Sequence, residues 1–292
     1  MRKIKFRKVY VEISNSCNLK CDFCPQSSLK RPTHFMDMAL FDSVVKQVQP
    51  FTRLLCLHVM GEPMYHPQLE EFLNICHKYK QDVSVVTNGV LLNDSNQQLL
   101  LNPAVVQVNF SLQSFENNYK GMDNKSYLNR IFKFTKRAFE ERPDMHINYR
   151  LWNADSFESA LKMNELTISR IREAFGISEE KMNSVSLLGN RLINNLFLNL
   201  SENFEWPTLD LPHRSNRGRC HALSNQLAIL SDGTVVPCCF DCEGVIKLGD
   251  ANNESIVEIL NSERAMNMFT GFKNQQLVEP LCQRCTYIER FN

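Results

Sequence analysis

Three cysteines, Cys17, Cys21 and Cys24, stand at C-x3-C-x2-C spacing in "EISNSCNLKCDFCPQ" (12–26), straight after a short apolar run. Thiolates select soft or borderline metals, and their number and spacing narrow the choice. A structural zinc site needs four protein ligands and draws on C-x2-C or C-x4-C pairs. Three thiolates on one loop suit instead an iron–sulfur cubane whose fourth iron carries no protein ligand and is open for chemistry. A zinc loop completed by a distant histidine is the plainer alternative. Near the other end lie Cys220, Cys238, Cys239, Cys242, Cys282 and Cys285, with only Cys56 and Cys76 between the two groups. Two separate metal sites are the economical reading.

Something must position those thiols. The 292 residues are 43% hydrophobic and 22% charged, enough for one large core or a core with an annex. Short apolar runs alternate with amphipathic stretches from residue 9 to about 150. "VYVEI" (9–13), "RLLCLHVM" (53–60), "DVSVVTNG" (82–89), "AVVQVNFSL" (104–112) and "MHINYRL" (145–151) read as strands. Between them "FDSVVKQVQPF" (41–51), "PQLEEFLNICHKYK" (67–80), "DSNQQLLL" (94–101) and "YLNRIFKFTKRAFEE" (127–141) read as helices. Such alternation means an α/β fold with a parallel sheet, open or closing into a barrel. Residues 155–219 are less regular: a helix at 165–176, a strand at 194–200, and a proline-bearing linker at 205–219. A hairpin at 226–239 turning at Asp232-Gly233 and a helix at 254–269 follow.

The net charge of +1 gives no pull toward nucleic acid or anionic membrane, and no apolar run reaches the roughly 18 residues of a membrane span. The basic, alternating N-terminus is unlike a signal peptide. Eleven cysteines then belong to a reducing compartment, so a cytoplasmic location is expected.

C-x3-C-x2-C with an aromatic, Phe23, before its last cysteine resembles the signature of the radical S-adenosylmethionine (radical SAM) enzymes. Further motifs agree in order. "MGEP" (60–63) is similar to the family's G-G-E-P, with Met60 in place of the first glycine, and "TNG" (87–89) ends the third strand as the family often does. Ser111 and Gln113 end the fourth. The resemblance implies a partial (β/α)6 TIM-like barrel in which Cys17, Cys21 and Cys24 hold a catalytic [4Fe–4S] cluster. Its open iron would bind S-adenosylmethionine, and a donor such as flavodoxin or ferredoxin would supply the electron that yields a 5′-deoxyadenosyl radical. It further implies cofactor contacts from Gly61, Glu62, Pro63 and Asn88, ribose contacts from Ser111 and Gln113, and Phe23 near the adenine. A carboxylate such as Glu62 complements an ammonium.

Cys220, Gly233, Cys238 five positions past that glycine, and Cys282-x2-Cys285 resemble the auxiliary-cluster region of SPASM/twitch members. With no cysteine after Cys285, the shorter twitch form is implied: a hairpin plus helix with one auxiliary four-cysteine [4Fe–4S] cluster. Four thiolates leave no open iron, which points to electron transfer or structure. Cys239 and Cys242 are then spare thiols. A zinc ribbon uses the same ligand count and is the alternative. Cys56 and Cys76 read as core residues.

Glu12 alternates with Val11 and Ile13, so it points into the barrel, either as a structural anchor or as a ligand for a substrate N–H group. His58, Asn148 and Arg150 reach the same interior by strand position. His58 reads as a satisfied core histidine, Arg150 as a partner for a carboxylate of cofactor or substrate, and His66 as a loop cap.

The expected division is a barrel over 1–205 and an auxiliary domain over 206–292. Peptide-modifying members usually carry a recognition domain before the barrel; here the first strand begins at about residue 9, which favours a small-molecule substrate. The "FEWP" linker, short auxiliary region and abrupt C-terminus resemble queuine lyases, which break a C–N bond to give 7-aminomethyl-7-deazaguanine. A twitch-type dehydrogenase and a peptide maturase are the other enzyme readings. An iron–sulfur electron carrier or zinc-binding protein is the non-enzyme one.

Overall fold

The computed structural model describes residues 5–186 and 189–291; the first four residues of the basic N-terminal run lie outside it. One ten-stranded sheet organises the chain, in the order β10-β9-β8-β1-β2-β3-β4-β5-β7-β6. Its centre is six parallel strands: β1 (Lys8–Val11), β2 (Leu54–Cys56), β3 (Asp82–Thr87), β4 (Val105–Ser111), β5 (His146–Ala154) and β7 (Leu196–Glu202). Between them run α1 (Met38–Val48), α2 (Leu69–Lys78), α3 (Gln113–Asn118), α4 (Lys125–Glu141), α5 (Phe157–Met163), α6 (Glu165–Phe175) and α7 (Glu179–Asn183). This is the α/β, partial TIM-like barrel that the alternating pattern and the motif resemblance together led us to expect.

Strand alternation decides what fills the barrel. Val9 and Val11, Leu55, Val83 and Val85, Val108 and Phe110, Ile147 and Tyr149, and Leu196 and Leu198 are buried in the core shared with the helices. Phe41 of α1 stacks on Phe72 of α2 with ring centroids 4.2 Å apart within it. The alternate residues face the other way. Register aligns Tyr10 with Cys56 and Cys56 with Ser84; it aligns Asn109 with Asn148, and Ser111 with Arg150 and Arg150 with Asn199. The barrel's inner layer is therefore rich in amides, hydroxyls and charge.

The C-terminal region extends the same sheet. β8 (Gln226–Ile229) runs parallel to β1, pairing Lys8 with Gln226 through Val11 with Ile229. β9 (Thr234–Val236) returns antiparallel, and β10 (Gly249–Asp250) adds a short edge. Gly233 makes the hairpin turn at φ +92°, the left-handed region open to glycine.

Several expected elements differ in form. Residues 94–101 hold a 3-10 turn at Gln97–Leu101, and 53–60 keep only three strand residues before the chain leaves the sheet. The single helix at 254–269 is two: α8 (Ile256–Leu260), opened by a Ser255–Glu258 capping box, and α9 (Glu263–Lys273), capped afresh by Ser262. β6 (Asn190–Ile193), antiparallel to β7, has no counterpart in the sequence reading. Among the described residues no helix is long and apolar enough to cross a membrane.

Candidate active site

The segments after β1 to β4 meet at one end of the barrel. After β1, the chain carries Cys17, Cys21 and Cys24. The Leu19 N–H donates to Cys17 Sγ at 3.4 Å, and the Cys24 N–H to the Cys21 carbonyl at 3.1 Å. After β2, Gly61 holds φ +78°, where a Cβ would collide with the Ser14 carbonyl oxygen. Only glycine lets "GEP" lie this close to the cysteine segment, and the Glu62 N–H donates to Ser16 O at 2.9 Å. Pro63 is buried at the start of the turn that follows.

Glu62 is buried with its oxygens on backbone: Met64 N–H at 3.0 Å and Asn88 N–H at 2.7 Å. Burial raises its carboxyl to about 7, against the opposing pull of those amides and of the Thr87 side chain. The carboxylate thus ties the "GEP" and "TNG" loops together. Asn88 itself donates to Asn18 Oδ1 at 2.8 Å, inside the cysteine loop. Gln113 is buried with Oε1 unpartnered, while Ser111 and Phe23 are half-buried at the same end.

Two residues that the sequence reading missed hold the cysteine loop. Asn118, at the end of α3, donates to Cys21 Sγ at 3.0 Å and accepts from Lys20 N–H at 2.8 Å; Asn117 accepts from Asp22 N–H at 2.8 Å. The "ENN" at 116–118 carries no recognisable spacing, so only the fold reveals it. Burial pushes the Cys17 and Cys24 thiols up to about 11, and each feels the charge of Cys21. Among the described residues, no three Cys, His, Asp or Glu side chains converge at single-ion distances. Soft donors on one loop, braced by an amide N–H to sulfur, fit a cationic cluster that would draw the thiols into their thiolate form.

Members of the second cysteine set lie within electrostatic reach of one another. Burial, then the charges of Cys220, Cys239 and Cys282, hold Cys238 protonated; burial, then Cys220 and Cys285, do the same for Cys282. Cys239 is nearby and bonded to the Tyr10 hydroxyl. Cys242 belongs elsewhere: the charges around it are Glu243, Arg31, Asp241 and Glu12. Cys56 is buried on the inner side with Tyr10, Cys76 in the helix-facing core, and His66 accepts from the Gln68 N–H ahead of α2.

Glu12 departs from its ligand reading. It is wholly buried, with Oε2 paired to Arg31 at 2.6 Å and accepting from Met60 N–H, and Oε1 accepting from Ser231 N–H and Oγ–H. Every lone pair facing a donor is spent, so Glu12 is the anchor and offers nothing to a substrate edge. His58 is not a satisfied core histidine either. Its Nδ1 is buried without a partner, its ring meets Tyr10 edge-on at 5.4 Å, and burial with Arg150 and Lys8 pushes it down to about 3. Asn148 donates to Asn109 Oδ1 at 3.1 Å and accepts from Asn199 at 2.9 Å. Arg150 donates to the same Asn109 oxygen at 2.8 Å and lies 4.7 Å over the Trp152 ring.

A partial barrel bearing three thiols at its mouth and a second thiol set in the C-terminal region has the donors an iron–sulfur enzyme would need. The chain belongs to the radical SAM superfamily, whose family model matches residues 11–163, and a second model, the SPASM iron–sulfur cluster-binding domain, matches 220–286. Its cofactors are S-adenosylmethionine and [4Fe–4S] chemistry in the barrel, with auxiliary iron–sulfur binding in the C-terminal region. The tungsten-containing aldehyde ferredoxin oxidoreductase cofactor-modifying protein of Pyrococcus furiosus is 21% identical over 316 residues, covering 95% of this chain and 86% of that protein. The S-adenosyl-L-methionine-dependent 2-deoxy-scyllo-inosamine dehydrogenase of Niallia circulans is 31% identical over 100 residues, 32% of this chain and 40% of that protein. A structure of BtrN with AdoMet and 2-DOIA aligns at TM-score 0.63 and 18% identity over 98% of this chain and 94% of that one. Streptococcus suis SuiB bound to precursor peptide SuiA aligns at 0.63 and 14%, over 98% and 72%. At these identities the structural likeness establishes the fold alone.

Proposed function

We propose that this radical SAM enzyme removes a hydrogen atom from a small polar molecule held inside the barrel. The carrying observation is the inner layer of His58, Asn109, Asn148, Arg150 and Asn199, polar where a packed barrel would place aliphatic side chains. When bound, the cluster and S-adenosylmethionine supply a 5′-deoxyadenosyl radical. The chain's part is to seat them and to present the substrate. Cys17, Cys21 and Cys24 offer the thiolates, and Asn117 and Asn118 fix their loop. Gly61, Pro63, Asn88, Ser111 and Gln113 surround the place for the cofactor, with Phe23 beside it. Glu62 acts here by bracing two loops.

The C-terminal cluster would be held by Cys220, Cys238, Cys282 and Cys285, in a domain taken as 206–292 against a barrel of 1–205. A ferredoxin or flavodoxin fits as electron donor, and the free cysteines fit the cytoplasm. A dehydrogenase is the reaction type the Niallia relative favours. The queuine-lyase expectation, which rested on the "FEWP" linker and the short auxiliary region, is not carried forward: none of the activities of the relatives named above is of that kind. The test is anaerobic reconstitution with S-adenosylmethionine and dithionite. Accelerated 5′-deoxyadenosine formation with small polar molecules supports the reading; acceleration confined to peptides would replace it.

A further inference from the structure

Donors crowd a single acceptor in the barrel's inner layer. Asn109 Oδ1 receives three of them: Gln107 Nε2 at 2.8 Å, Asn148 Nδ2 at 3.1 Å and Arg150 Nη2 at 2.8 Å. A carbonyl oxygen has two lone pairs, so one donor there is always short-changed. Arg150 Nε has no partner at all. The anionic side chains of the site cannot help: Glu12 is spent on Arg31, Met60 and Ser231, and Glu62 on two backbone amides and the Thr87 side chain. The groups whose negative charge would reach Arg150 are Tyr10 and Cys56, and burial keeps both protonated. Burial lowers Arg150 only to about 10, so at neutral pH it remains a cation. The Trp152 face steadies the guanidinium without neutralising it. Arg150 as a whole is half-buried, while its Nε is shut off from solvent.

We infer that Arg150 is the anion-binding residue of the substrate site and that the substrate is a small organic acid whose carboxylate it holds. This rests on the reading that the substrate lies inside the barrel. A carboxylate supplies four acceptor sites and one negative charge, matching the unpaired Nε–H and the crowded Nη2–H. A phosphate dianion fits less well, because Lys8, the other cation felt here, rests over the Tyr10 ring at the start of β1.

Trp152 is one of two tryptophans in the chain, so in a Trp206→Phe background its fluorescence reports on Arg150 directly. The cluster-loaded enzyme is titrated with formate, acetate and acetamide, with and without saturating S-adenosylmethionine. Formate and acetate should change Trp152 emission saturably and acetamide should not. Arg150→Gln should weaken acetate binding by roughly thirtyfold or more, as truncating one partner of a buried charge pair does, and Arg150→Lys should restore part of it. An equal response to acetamide, no saturable response to either acid, or undiminished binding in Arg150→Gln overturns the inference. Loss of the acetate response when S-adenosylmethionine is added would assign Arg150 to the cofactor's carboxylate and overturn it too. Cofactor cleavage in the same sample tests the parent reading separately, since the acetate response does not depend on it.

Discussion

A buried carboxylate with four donors is a structural commitment, and Glu12 makes it across the molecule. Its partners come from the segment after the cysteine loop (Arg31), the second strand's loop (Met60) and the C-terminal hairpin (Ser231). Glu12→Gln replaces one acceptor by a donor facing Arg31, which should cost roughly 3 kcal/mol of folding stability in chemical denaturation. A substrate ligand would instead leave stability unchanged. His58 carries a pH signature. Its folded pKa is near 3 against an ordinary 6.5, so between those values the unfolded chain binds a proton that the native one refuses. Stability therefore falls with acidity across that window, and moving from pH 7 to pH 5 should cost about 2 kcal/mol through this residue alone. Denaturation of wild type and His58→Gln at both values checks it, the variant losing less. Cys238 and Cys239 separate by iron content: Cys238→Ala should lose the auxiliary cluster, and Cys239→Ala, whose thiol bonds Tyr10, should keep it.

The elements bring these residues together through short, demanding turns. Gly61→Ala would force a Cβ onto Ser14 at a left-handed backbone angle, so roughly 2–4 kcal/mol should be lost and cofactor binding with it. Unaltered S-adenosylmethionine affinity in that variant would show that the "GEP" loop does not seat the cofactor. Local pattern made most elements legible, because strand periodicity and helix faces are short-range signals. It failed where capping competes with periodicity: 254–269 has a continuous apolar face, yet Ser262 starts a new helix within it. It failed again at β6, whose alternation is weak and whose pairing depends on β7 being in place.

At the scale of the whole molecule, the sheet does not stop between the two regions. β8 lies on β1 over four residues, and the Arg31–Glu12–Ser231 contacts cross the same boundary. A fragment ending at residue 205 would bare the β1 edge and strip Glu12 Oε1 of both Ser231 donors, so it should aggregate or fail to fold, and the full chain should unfold in one transition. The cysteine sets were legible because each announces itself by local spacing. The Asn109–Asn148–Arg150 cluster and the Asn118 brace were not, since their members lie tens of residues apart and only strand register joins them. The most direct test of the account is anaerobic reconstitution of wild type and of a Cys17→Ala/Cys21→Ala/Cys24→Ala triple variant, with iron and 5′-deoxyadenosine measured together. The wild type should hold about eight irons and cleave S-adenosylmethionine under dithionite, and the variant should hold about four and cleave none. A wild type that carries zinc in place of the second cluster, or a variant that still forms 5′-deoxyadenosine, would contradict it.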